Sequence, residues 1–109
     1  MSLNVAHLAE QMVAAALPIL VQHSSDVQSF AKTEFAKIAQ TLAGIEEQTA
    51  DGQINQAQAA ILLDMQKGAS RNVLLALKGL DMLTVEEAIN AALGVVKTVV
   101  DTALGFALL

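Results

Sequence analysis

Apolar side chains make up more of this chain than a single small domain needs for its core. Hydrophobic residues other than glycine form 54% of the 109 residues, against about 45–50% with glycine included in an average soluble domain. The chain carries only six basic and eleven acidic residues. Size scaling gives about 5,800 Å² of surface for a globular chain of this mass. We therefore expect large apolar patches that copies of the chain, another protein or lipid must cover.

The apolar residues are mainly of types that favour helix. The chain has twenty alanines and sixteen leucines, which are strong helix formers, and only one proline and six glycines. The sequence predicts an all-α fold in a single domain over residues 1–109, an antiparallel bundle of about four helices completed by self-association. The alternative is a helix hairpin followed by one long C-terminal helix.

Charge and aromatic content exclude one class of partner. The formal net charge is −5, no segment clusters Lys and Arg, and three phenylalanines are the only aromatic residues. Nucleic acid binding needs cations against phosphate and rings against bases, so we expect no nucleic acid partner. The absence of cysteine fits a reducing compartment, and the apolar run after Glu10 has no cationic start, so we expect a cytoplasmic protein.

The first half of the chain predicts two helices. Helix one is expected from Asn4 to about Gln22, where Pro18 predicts a kink or an end near Leu17. Helix two follows a turn at residues 24–26 and runs to about Gln48. Its apolar residues alternate four and three apart, as in a short coiled-coil seam. We expect an interface along this seam, formed by Phe35, Ile38, Leu42 and Ile45.

The second half predicts two more helices. Asp51-Gly52 marks a reversal, and helix three is expected from a cap at Asn55 to Lys78. It is apolar on all sides over residues 73–77, so a second subunit is expected to cover Val73, Leu74 and Leu77. Helix four is expected from Val85, after a capping box at Thr84–Glu87, to about Phe106. The competing interpretation joins helices three and four into one rod.

A stripe of small and polar residues runs along the last helix. Asn90, Gly94 and Thr98 lie four residues apart and form a ridge that permits close approach of another helix. In water this is a packing ridge, whereas in a membrane it would face other helices. Lys97 and Asp101 interrupt the apolar run, although they lie one turn apart and can pair. We therefore include Asn90, Gly94 and Thr98 among the expected interface residues.

No group of residues predicts chemistry. The segment 47–58 has the length of a calcium loop, but it offers two carboxylates and closes on Gln58, so it predicts a turn and a helix cap. His7 and Glu10 lack the further ligands that zinc requires. Glu86 and Glu87 suit the first turn of a helix. The sequence predicts no catalytic residue, no metal site and no cofactor.

The functional expectation follows from the apolar surplus. The sequence predicts a non-enzymatic structural or interaction protein, a helical bundle that forms homo-oligomers through faces rich in alanine and leucine. One alternative is a membrane-active helical protein, such as a small pore former or lysis factor, that uses the same apolar residues. Another is a subunit of a hetero-complex whose protein partner covers them.

Overall fold

A computed structural model describes residues 3–20, 25–77 and 79–109 of the chain. In these ranges it contains four helices: α1 (Val5–Leu20), α2 (Ser25–Ala50), α3 (Gln56–Leu75) and α4 (Met82–Leu104). The predicted all-α four-helix architecture is confirmed. α3 and α4 are separate helices, so the continuous rod is wrong. The predicted turn residue Ser24 and the predicted helix ends at Gln22 and Lys78 lie outside the described residues.

The helices run alternately up and down. A hydrogen bond joins Leu3, just before α1, to Glu46 near the end of α2. An ion pair joins Arg71 near the end of α3 to Glu86 near the start of α4. α1 packs between α2 and α4, and α2 packs between α1 and α3. α3 touches α4 much more sparsely, which leaves a cleft between these two helices.

The apolar seam of α2 lies in the centre of the molecule. Phe35, Ile38, Leu42 and Ile45 are at most 1% exposed and belong to one core cluster with residues from all four helices. The accessible surface is 5839 Å², which agrees with the value expected from chain size. The single chain therefore encloses the α2 seam without a neighbouring molecule.

Asn55 begins α3 as predicted, but Pro18 does not end α1. The Asn55 side chain accepts from the Gln58 amide at 2.9 Å, and the Gln58 side chain accepts from the Asn55 amide in return. α1 continues past Pro18 to Leu20. Pro18 and Ala14, the residue one turn earlier, are both exposed. Water can therefore satisfy the Ala14 carbonyl that proline leaves without a donor.

α4 begins and ends earlier than the sequence predicts. Its cap is Asp81, whose carboxylate accepts from the Thr84 amide at 2.8 Å, so Thr84 lies within the first turn rather than before it. Asp and Thr are both good caps, and the residue further upstream takes the position. The helix ends at Leu104 because Gly105 adopts a left-handed conformation, with φ of 83°.

Candidate interaction surfaces

The outer face of α4 carries the small-residue stripe that the sequence predicts. Asn90, Gly94 and Thr98 are all exposed. An added Cβ at Gly94 would meet no atom within 4 Å, so no part of the described chain packs against the ridge there. The stripe is thus available to another molecule.

Two valines flank this stripe on the side of α1. Val95 is 51% exposed and Val99 is 39% exposed. They line a shallow groove of about 400 Å³ with Leu3, Leu8 and the uncharged polar residues Asn4, Gln11 and Thr98, with His7 as the one titratable residue in the lining. An apolar centre with a polar rim and few charges resembles the composition of protein interfaces. We call Asn90, Gly94, Val95, Thr98 and Val99 the α4 face.

The other predicted interface residues occupy different positions. Phe35, Ile38, Leu42, Ile45 and Leu74 are buried inside the chain. They offer no surface to a partner of the folded molecule, which corrects their assignment to an interface. Val73 and Leu77 are half-buried. The sequence suggested an interface at the buried residues because helical periodicity identifies the buried face of a helix but does not identify what covers that face.

A second exposed apolar surface on α3 was not predicted. Ile61 and Met65 are 59% and 66% exposed and lie one turn apart. Met65 borders a groove between α2 and α3, about 470 Å³ in volume, whose lining contains no charged residue. The i, i+4 spacing of Ile61 and Met65 was visible in the sequence, but it fits the core-facing side of a helix equally well.

The sparse contact between α3 and α4 leaves a third feature, which we call the α3–α4 cleft. Leu63 and Leu93, both largely buried, and the small residues Ala60 and Gly94 form its apolar part. Asp64, Lys67, Asn90 and Lys97 supply its polar groups, and Leu108 and Leu109 complete the lining. Its volume is about 280 Å³.

Asp101 holds the segment that follows α4 against this cleft. One of its carboxylate oxygens accepts from the amides of Leu108 and Leu109, at 3.0 Å each. Its other oxygen pairs with the Lys97 ammonium at 2.9 Å, which confirms the predicted ion pair. Lys97 also donates to the Leu109 carbonyl. Burial raises the pKa of Asp101, but these hydrogen bonds and the Lys97 charge outweigh it and lower the pKa below the ordinary value.

A buried carboxylate lies at the end of the bundle where α1 begins. One oxygen of Glu46 accepts from the Leu3 amide. Its second oxygen and the Thr49 hydroxyl are buried and have no hydrogen-bond partner among the residues described. Buried polar groups are normally paired, so this pair is the least satisfied polar feature of the described core.

The described residues form neither a group of metal ligands nor a membrane-spanning helix. Within residues 3–20, 25–77 and 79–109, no three His, Asp or Glu side chains group closely enough to hold a metal ion. No helix in those ranges combines the length and apolar character that crossing a membrane requires. No protein-family model, curated protein or solved structure matches the chain.

Proposed function

We propose that this chain is a non-enzymatic interaction protein that associates with a second copy of itself through the α4 face. The observation that carries the proposal is the uncovered pair Val95 and Val99 beside the open ridge at Gly94. Small residues on a helix surface permit a short distance between helix axes. Covering the exposed valines with a partner lowers the free energy, because apolar surface is removed from water.

The charge distribution permits contact between identical molecules at this face. The chain has a net charge of −5, so two copies repel one another. The groove beside the face is lined without Asp, Glu, Lys or Arg. A twofold arrangement that apposes two such faces therefore brings no like charges of the groove together, and twofold dimers are the commonest homo-oligomers.

The available apolar area predicts weak association. Full burial of a valine contributes about 1.5–3 kcal/mol. Covering two half-exposed valines on each of two copies therefore contributes roughly 4 kcal/mol, which is comparable to the lowest estimates of the entropic cost of association. The valines therefore only offset the entropic cost, and the rest of the α4 face must supply the net binding free energy. We expect a dissociation constant of about 1 mM or weaker, which corresponds to at most about 4 kcal/mol of net binding free energy. The dimer should form only at high protein concentration.

Sedimentation equilibrium up to millimolar concentration tests the proposal. We expect wild type to show a monomer–dimer equilibrium and Val95→Glu to remain monomeric, because the new carboxylates face each other across the contact. Met65→Glu is the matched control, since Met65 is exposed to a similar extent on α3. It should dimerise like wild type.

Two outcomes would overturn this assignment. A wild-type chain that stays monomeric throughout the concentration range excludes self-association. The exposed apolar faces would then be assigned to contact with a different protein. A dimer that Met65→Glu dissociates and Val95→Glu leaves intact moves the contact to the α2–α3 side. Circular dichroism of each variant verifies that the helices are retained.

A further inference from the structure

We propose that residues 106–109 form a strap that closes the α3–α4 cleft, that Asp101 is its latch, and that the open cleft binds a small amphipathic anion. This inference does not depend on self-association, because no residue of the strap belongs to the α4 face, although Asn90 and Gly94 lie both on that face and in the cleft lining. It begins with the path of the chain after α4. Gly105 has φ of 83°, which reverses the chain direction and returns residues 106–109 toward the bundle.

The strap is held by polar contacts at successive residues. Asp101 accepts from the Leu108 and Leu109 amides, and Lys97 donates to the Leu109 carbonyl. The Gln56 side chain at the start of α3 donates to the Ala107 carbonyl at 3.4 Å. These contacts fasten the strap to both helices that border the cleft. Two of these four hydrogen bonds are accepted by the carboxylate of Asp101, so this carboxylate is the latch.

The side chains of the strap fill part of the cleft. Leu108 and Leu109 line it together with Leu63 and Leu93, and Leu108 and Leu109 pack against the core cluster. The volume left is about 280 Å³, just below the usual range of about 300–1,000 Å³ for small-molecule sites. Withdrawal of the two strap leucines enlarges the space and exposes its leucine-lined part to solvent.

The polar residues of the cleft determine which ligand it fits. Lys67 is half-buried and makes no ion pair in the part of the chain that is described, whereas Lys97 keeps its ion pair with Asp101 when the strap leaves and it loses the Leu109 carbonyl. A lysine without an ion pair, in the same lining as leucine side chains, suits a ligand with an anionic head and an apolar body, and Lys97 adds a positive charge that Asp101 partly neutralises. Asp64 lies on the same lining and limits the affinity for anions.

Hydrogen exchange and binding of 1-anilinonaphthalene-8-sulfonate test the strap at concentrations where the chain is monomeric. Asp101→Ala removes the latch without weakening α4, because alanine is the best helix former. We expect the amides of Leu108 and Leu109 to exchange at least tenfold faster in this variant, with exchange in α2 unchanged. We expect probe fluorescence to rise several-fold. Asp101→Asn, which keeps a neutral acceptor, should give intermediate values.

Two further variants separate a latch from a general loss of structure. Asp64→Ala removes the same group from the facing helix without touching the strap, and it should leave the exchange of Leu108 and Leu109 at the wild-type rate. Leu108→Ser combined with Leu109→Ser withdraws the apolar anchors and leaves α4 intact. It should admit the probe as Asp101→Ala does.

Several results would overturn the inference. Wild-type amides at Leu108 and Leu109 that exchange as fast as in a free peptide show that no strap closes the cleft. Equal exchange rates of the Leu108 and Leu109 amides in Asp101→Ala and Asp64→Ala would show that Asp101 is not the latch. Faster exchange through all helices in both strap variants assigns the segment a purely structural role. A released strap with no gain in probe binding excludes the ligand site.

Discussion

The carboxylate of Glu46 accepts a hydrogen bond from the backbone amide of Leu3 at 2.7 Å, which joins two residues 43 positions apart in the chain. Both residues are buried, so the bond connects the start of α1 to α2 away from bulk water. A buried amide without an acceptor is costly, since it has lost its hydrogen bonds to water. One side chain of α2 therefore helps to fix the start of α1 on the bundle.

Replacement of Glu46 tests this connection. Glu46→Ala leaves the Leu3 amide without its acceptor, and we expect the free energy of unfolding to fall by about 1–3 kcal/mol. Urea denaturation followed by circular dichroism measures the change. Glu47→Ala, one residue along and exposed, is the control and should change the stability by less than about 0.5 kcal/mol. Equal effects of the two variants would contradict the connection.

Leu74 should behave as a core residue and not as an interface residue. It is fully buried within the chain, so Leu74→Ala should lower the free energy of unfolding by about 2–5 kcal/mol. Leu83→Ala is the matched control, because Leu83 is 68% exposed and should lose less than about 1 kcal/mol. Thermal or urea unfolding at low protein concentration gives both values. A small loss at Leu74 would return this residue to the list of interface candidates.

Asp101 should make part of the stability depend on pH. Its pKa in the folded chain lies below the ordinary value of 3.8, so the unfolded chain takes up a proton first as the pH falls. The stabilisation is therefore complete above about pH 5 and disappears as the pH drops through the folded-state pKa. Urea unfolding between pH 2 and 6 measures it. The difference between wild type and Asp101→Ala should shrink below about pH 4, and a difference that grows there would show the opposite sign.

Two glycines should respond in opposite directions to alanine. Gly52 has φ of 73° in the turn between α2 and α3, and an L-residue there costs about 1–2 kcal/mol. Gly94 is helical with open space around its Cβ position, so Gly94→Ala should stabilise the monomer by about 0.5–1 kcal/mol. Urea unfolding of the two variants in the monomeric range tests the pair. Destabilisation by Gly94→Ala would indicate that this site already has a close neighbour.

Residue patterns in the sequence predict the helices well, because apolar spacing and capping residues act within a few positions of one another. The seam from Phe35 to Ile45 identifies the buried side of α2, and Asn55 marks the start of α3. The sequence pattern predicts a start of α4 three residues too late, because Asp81 and Thr84 are both suitable caps and local sequence does not choose between them.

The candidate surfaces were harder to predict, because exposure depends on which helices pack together. Leu74 and Val95 are both apolar residues on helices rich in apolar residues, yet one is enclosed and the other faces solvent. The contacts of Asp101 with Leu108 and Leu109 depend on a chain reversal at Gly105. Sequence spacing predicted the Lys97–Asp101 pair but gave no sign of the returning segment.

The packing of α1 against α4 has a consequence for biosynthesis. The ribosome releases α1 about sixty residues before α4 begins to emerge, so the nascent chain holds α1 with one apolar side bare. Translation at about 5–20 residues per second keeps that side uncovered for several seconds. An apolar side of α1 therefore stays in contact with water until α4 is synthesised and completes the bundle.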